Sequence, residues 1–190
     1  YLVDDPYWRI ERKWSTNSSH PDGLGEYWLV RTPDGVTWRF GGEFVGTGNE
    51  DVNSAWYTPV YNAGSIADQQ CTSGVSNGYC DRVYQWNLDL VEDPSGNQTV
   101  YKYETEINYY DADDSDRRDY VRAGHVSQIR YGASASNTHY AIKVDFNTEP
   151  RCVGTTCESS HEDYPDTPWD LECGSSGSCD QDAATYWTSQ

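Results

Sequence analysis

The 190-residue sequence contains no methionine, and three phenylalanines stand against eight tryptophans and 16 tyrosines. Basic residues are also scarce: 13 Lys and Arg face 31 Asp and Glu, for a formal net charge of −18. That balance argues against nucleic acid as a partner, because gripping phosphates takes a basic surface that releases counterions. Anionic membrane surfaces are disfavoured on the same ground. No apolar run is long enough to span a bilayer, so membrane insertion is not expected. Neither Tyr1-Leu2-Val3 nor Trp187-Thr188-Ser189-Gln190 reads as a natural terminus. The expectation is a processed or excised piece of something longer, with any export signal upstream. Helical periodicity is missing as well: no capped apolar stretch of about 10–12 residues appears.

What the chain does have is six cysteines in three close pairs. Cys71 and Cys80, Cys152 and Cys157, and Cys173 and Cys179 enclose eight, four and five residues. Structural zinc sites favour two or three residues between paired ligands, and no CxxC occurs here. His161 follows Cys157 by four residues but has no partner histidine nearby. An even count in a polar, loop-rich chain fits disulfides better, and with them an extracellular or cell-surface location. Six cysteines allow about 15 connectivities, so the sequence leaves the pairing open, with neighbour pairing the simplest.

Apolar and polar residues alternate over most of the first 147 residues. Trp8 and Ile10 alternate with Arg9 and Glu11, and Val36, Trp38 and Phe40 with Thr37 and Arg39. The same pattern runs through Tyr84–Leu90, Tyr101–Ile107 and Tyr140–Phe146. A period of two predicts antiparallel strands with one buried and one wet face. Thr32-Pro33-Asp34-Gly35 and Asp93-Pro94-Ser95-Gly96-Asn97 supply the turns of two hairpins, joining Tyr27–Arg31 to Val36–Phe40 and Trp86–Val91 to Val100–Glu106. Longer connections are expected over Ser15–Gly25, Gly41–Ser54 and Asn62–Gly78. The fold class expected is therefore all-β: antiparallel hairpins in an extended or curved sheet over 1–147, with 148–190 as a cysteine-rich, irregular extension packed on that sheet. The extension holds four of the six cysteines and Pro150, Pro165 and Pro168. Tyr164, Trp169, Tyr186 and Trp187 are its expected anchors.

Several stretches, in order, match one family pattern. Trp28-Leu29-Val30-Arg31-Thr32-Pro33-Asp34-Gly35-Val36-Thr37-Trp38-Arg39-Phe40-Gly41 resembles a hairpin of the large bacterial RHS/YD-repeat (teneurin-like, wall-associated) proteins. Trp86-Asn87-Leu88-Asp89-Leu90-Val91-Glu92-Asp93-Pro94-Ser95-Gly96-Asn97 with Tyr101-Lys102-Tyr103-Glu104 resembles their next element, and Tyr120–Gly132 a third. Arg151-Cys152, Cys157, Tyr164–Leu171, Cys173, Cys179 and Tyr186-Trp187 are similar to the cysteine-bearing segment that follows. No tandem array of short YD repeats is present, which departs from the family pattern. The resemblance implies a fragment of a β shell built from stacked hairpins, which in the family encloses a cargo domain, often a toxin. It brings no catalytic residue to this chain.

Candidate chemistry is sparse. The bases available to a nucleophile are His20, His125, His139 and His161, and none accompanies a GxSxG elbow. Carboxylates for glycoside hydrolysis are abundant, but Glu11, Glu104, Glu106 and Asp145 fall at positions expected to face outward. Asp111, Asp113 and Ser115 form a candidate calcium loop. Asp116 replaces the glycine such loops use at their sixth position, and Arg122 stands where a glutamate would close the site. Otherwise no cofactor is expected. Asn17-Ser18-Ser19 and Asn97-Gln98-Thr99 fit the N-glycosylation pattern, with a turn role as the simpler account of Asn97. The reading that emerges is a non-enzymatic, extracellular structural or surface segment. Its partners would be neighbouring β-hairpin repeats, identical subunits, a cargo domain or a surface glycan. The alternative is a secreted carbohydrate-binding or adhesion module, followed by a glycan-active enzyme.

Overall fold

The alternation resolves into β-strands in the structure, a computed structural model that describes residues 6–16, 19–46, 50–61, 79–111, 117–134, 139–149, 152–153, 163–165 and 167–171. The strands are β1 (Arg9–Trp14), β2 (Glu26–Arg31), β3 (Thr37–Phe40), β4 (Phe44–Val45), β5 (Glu50–Asp51), β6 (Ala55–Tyr61), β7 (Tyr79–Trp86), β8 (Leu88–Glu92), β9 (Asn97–Asp111), β10 (Arg117–Ser134) and β11 (Ile142–Asp145). Seven of them form one antiparallel sheet in the order β1-β2-β3-β8-β9-β10-β11. The pairs β4–β5 and β6–β7 make two separate antiparallel ribbons. The fold is all-β.

Both expected hairpins form, and their turns show why. Gly35 sits at φ +85°, a backbone conformation open to glycine, and its N–H donates to the Thr32 carbonyl at 2.9 Å. In the β8–β9 turn, Asp93 accepts from the Ser95 N–H at 2.8 Å and the Asn97 N–H at 2.9 Å, which pins the loop from within. The Asn97 amide donates to the same carboxylate, so this acceptor-pattern residue does serve as a turn residue.

Two sequence readings need correction. Tyr84–Leu90 is not one strand. The chain crosses between sheets at Asn87, whose N–H donates to the Ser54 carbonyl and whose carbonyl accepts from Gly41. β7 therefore belongs to a ribbon with β6, and β8 to the large sheet. The Gly41–Ser54 connection, read as plain loop, contains β4 and β5.

The long β9–β10 hairpin organises the rest. β10 has 18 residues against 15 in β9, and three β-bulges absorb the surplus. Bulges bend a strand and increase its twist. On one side of the hairpin, Trp56 from β6 packs with Tyr103 and Val121. Gly124 makes this possible: a Cβ there would lie 2.7 Å from both the Trp56 ring and the Glu104 carbonyl. On the opposite face of β9, Val100 is buried with Val45 and Val52. Farther along that face Asn108 is buried, donating to the Tyr120 hydroxyl at 2.8 Å and the Leu171 carbonyl at 3.2 Å. Leu171 ends a short 3-10 turn (Trp169–Leu171).

Candidate functional site

Three features outside ordinary core packing stand out: a buried polar network, an acidic cavity, and an open apolar face on the large sheet.

The network begins at His20, which is buried. Its Nδ1 lies 2.7 Å from an Asp22 carboxylate oxygen and its Nε2 lies 3.0 Å from the Gly41 carbonyl. Both partners are acceptors, so both ring nitrogens must carry hydrogen and the ring is an imidazolium. Burial works against that charge, but the hydrogen bonds to Asp22 and Gly41 and the charge of Asp22 outweigh it and raise the His20 pKa. His20 therefore ties the 20–25 loop to the end of β3; both ring nitrogens are committed, and neither is free to act as a base.

Beside it, Glu43 and Asp89 share Ser54. The Ser54 hydroxyl lies 3.3 Å from Glu43 Oε2 and 3.2 Å from Asp89 Oδ2, and it accepts from the Glu43 N–H. One hydroxyl hydrogen cannot serve two carboxylates at once. Asp89 has a cation, with Arg39 Nε at 2.9 Å, yet complete burial still raises its pKa. Glu43 has no such partner: its Oε2 accepts the Ala55 N–H at 2.7 Å, and burial first, then Asp51, push its carboxyl up to about 7. A proton on Glu43 resolves the competition for Ser54.

Glu43 also lines a cavity of about 340 Å³. β9 and β10 supply Thr105, Ile107, Asp119 and Val121; β6 and β7 supply Ala55, Tyr57 and Asp81; the remaining wall is Ser19, Pro21, Asp51 and Asn53. Four carboxylates thus face one space whose described lining has no lysine or arginine. The Tyr57 hydroxyl donates to Asp119 at 2.5 Å. Burial and the neighbouring Asp119 raise the Asp81 pKa. Such a surface holds protons or attracts cationic groups and repels anions.

The third feature is a row of side chains that crosses the whole large sheet. Residues opposite each other in an antiparallel ladder share a face. The registers link Ile10 to Val30, Val30 to Trp38, Trp38 to Val91, Val91 to Thr99, Thr99 to Tyr131 and Tyr131 to Ile142. None of these seven is buried, and Ile10 and Ile142, at the two edges, are 61% and 60% exposed. The next row repeats the pattern toward one edge, where Tyr101, Ile129 and Val144 lie opposite one another. The opposite parity (Leu90, Val100) packs on Val45 and Val52. Apolar residues thus lie on both sides of β8 and β9. On β1 and β11 the expectation that the apolar parity is the buried one fails: Trp8, Ile10, Ile142, Val144 and Phe146 are all exposed.

Of the six cysteines, Cys80 and Cys152 are described, and both are disulfide-bonded. Cys71, Cys157, Cys173 and Cys179 lie outside the described residues. Asp111 ends β9, but its side chain, with Asp113 and Ser115, also lies outside them. Among the described residues no group of three His, Cys, Asp or Glu is placed to hold a metal ion. Glu104, Glu106 and Asp145 are exposed, whereas Glu11 is half-buried between Arg9, Lys13 and Arg31. Sequence reading missed Glu43, Asp51, Asp81, Asp89 and Asp119, which are far apart in the chain. The buried Glu43 at φ +63°, next to two glycines, is the nearest thing to a local signal. No family model, no curated protein and no solved structure matches the chain.

Proposed function

We propose that the chain is a non-enzymatic extracellular structural segment, one panel of a larger β wall or self-assembling surface structure. One observation carries this reading: a row of side chains, apolar except for Thr99, runs across seven strands half-buried in the middle and ends, at both edges, on an isoleucine more than half exposed. A domain built to stand alone covers such a face or makes it polar. A panel leaves it for the next hairpin, subunit or cargo, and covering it contributes about 25 cal/mol per Å² of apolar area. The resemblance to RHS/YD-like shells points the same way, on its motifs alone. The extension after residue 148 is read as a disulfide-tied cover for the hairpin side; the Cys152 disulfide and the Asn108–Leu171 hydrogen bond support that.

The test is sedimentation of the full chain over a concentration series, with an Ile10→Lys/Ile142→Lys double variant beside it. Both side chains are largely solvent-exposed, so the variant keeps the wild-type melting temperature while losing association. A chain that stays monomeric at about 1 mM, where even a 4 kcal/mol contact would register, overturns the reading.

A second reading, an adhesion module that stacks on sugar rings, draws support from Trp8, which is 56% exposed. Selective binding on a glycan array, lost in Trp8→Ala, would favour it over the wall.

A further inference from the structure

The two edges of the large sheet are chemically different. β1 presents Arg9, Arg12 and Lys13 in six residues. Basic side chains are a common way to blunt an edge against pairing. β11 and the residue after it read Ile142-Lys143-Val144-Asp145-Phe146, with one base, one acid and no proline or glycine. All five are exposed. Nothing among the described residues pairs with the outer side of β11.

Hydrogen bonding fixes which backbone groups are available on that outer side. The Phe146 N–H donates inward to the Ser127 carbonyl. N–H and C=O groups of alternate residues point to opposite sides of a strand. Phe146, Val144 and Ile142 therefore direct theirs toward β10, and Lys143 and Asp145 direct theirs to the open edge.

We infer that β11 is a two-fold pairing edge, and that its partner is β11 of a second copy of this chain. Set antiparallel about Val144, the two strands place Val144 opposite Val144 as a non-hydrogen-bonded pair. Lys143 then falls opposite the partner's Asp145 as a hydrogen-bonded pair, twice over. These are the residues whose outward amides and carbonyls are unused by β10. The same register puts an ammonium against a carboxylate at both positions on one face. On the other face Ile142 meets the partner's Phe146, and the row Tyr101–Ile129–Val144 continues through its symmetry mate. Backbone register, charge and apolar face agree on one centre. In the single chain Lys143 already lies 3.1 Å from Asp145 on its own strand. Pairing exchanges that exposed contact, one in each chain, for two cross-strand ones. The inference rests on the wall reading and names the partner at one edge of it.

Charge exchange tests it on the full chain by analytical ultracentrifugation. Lys143→Glu sets Glu against Asp145, and Asp145→Lys sets Lys against Lys143, so each variant alone should dimerise about tenfold more weakly or worse. An equimolar mixture of the two restores complementarity at both positions and should recover wild-type affinity as a heterodimer. The sites are exposed, so folding is not at risk, and melting temperature serves as the control. Unchanged self-association in both single variants, or no rescue in the mixture, overturns the β11 pairing. If association persists in the swaps but disappears in Ile10→Lys, the β11 edge is wrong and the wall reading stands. A wild-type chain that is monomeric throughout removes both.

Discussion

Replacing Glu43 by Gln should make the protein more stable at alkaline pH, although it alters a buried, hydrogen-bonded residue. The carboxyl is pushed from 4.5 up to about 7 by burial, with Asp51 adding to it and Ala55, Ser54 and His20 working against it. At about 1.36 kcal/mol per unit, a shift of that size is on the order of 3 kcal/mol between the two protonation states. The sign follows from linkage. The folded state binds a proton at Glu43 that the unfolded chain releases above pH 4.5. The contribution is therefore fully present below 4.5 and lost as pH rises through about 7. His20, also raised, runs in the same direction, whereas Asp22 and Glu50, held below the usual range, lose their contribution as pH falls. The difference between variant and wild type separates Glu43 from Asp22 and Glu50, and reads it together with the His20 charge that it feels. Gln keeps an oxygen for the Ala55 N–H and carries no charge. At pH 8 it should gain up to about 3 kcal/mol, or roughly 6–12 °C in Tm for a chain of this size. At pH 4.5 the difference should vanish. Thermal melts across that range measure it. A variant less stable at every pH, or a difference that does not change with pH, would refute the reasoning.

Two other substitutions probe the same architecture. Arg39→Ala leaves Asp89 fully buried with Ser54 but no cation, and also frees the Phe44 carbonyl that Arg39 holds at 2.9 Å; a loss of about 3–5 kcal/mol in urea unfolding is expected, and adding Asp89→Asn should recover part of it. Gly124→Ala forces a methyl against the Glu104 backbone and the Trp56 ring, so it should cost about 1–3 kcal/mol and change the Trp56 environment in near-UV circular dichroism.

How much of this was legible in the sequence depended on the distance over which the information acts. The hairpin turns were readable because Asp34-Gly35 and Asp93 through Asn97 encode their own geometry. β10 was not recognised as one 18-residue strand, because three bulges reset its parity and a period of two does not survive them. The break at Asn87 was hidden because alternation runs through it unchanged. What stops the strand is a pair of backbone hydrogen bonds to Ser54 and Gly41, more than 30 residues away along the chain. The acidic cavity had no local signature at all. Glu43, Asp51, Asp81 and Asp119 meet only when β6 packs over β10, and each alone reads as a solvated surface carboxylate.

The open face exposes a different limit. Alternation reports which residues share a side of a sheet; it does not report whether that side is covered. In β2 and β8 both parities carry apolar residues, Trp28 and Val30 beside Tyr27 and Leu29, and Leu88 and Leu90 beside Val91, as in a sheet buried on two faces; β3 keeps the simple alternation, with Trp38 and Phe40 against Thr37 and Arg39. One face is covered by Val45, Val52 and their neighbours; the other is covered in part, by Trp56 beside Tyr101 and Tyr103 and by Trp86 against Trp28. The sequence of β2 and β8 is thus that of a two-sided core, in a chain whose described residues cover one side and part of the other. A net charge of −18 opposes bringing copies together, but the repulsion is screened beyond about 8 Å at physiological salt. Apolar contact and backbone pairing act at closer range. On the proposed wall reading, the charge acts between separated copies and the short-range row acts once two of them meet edge to edge.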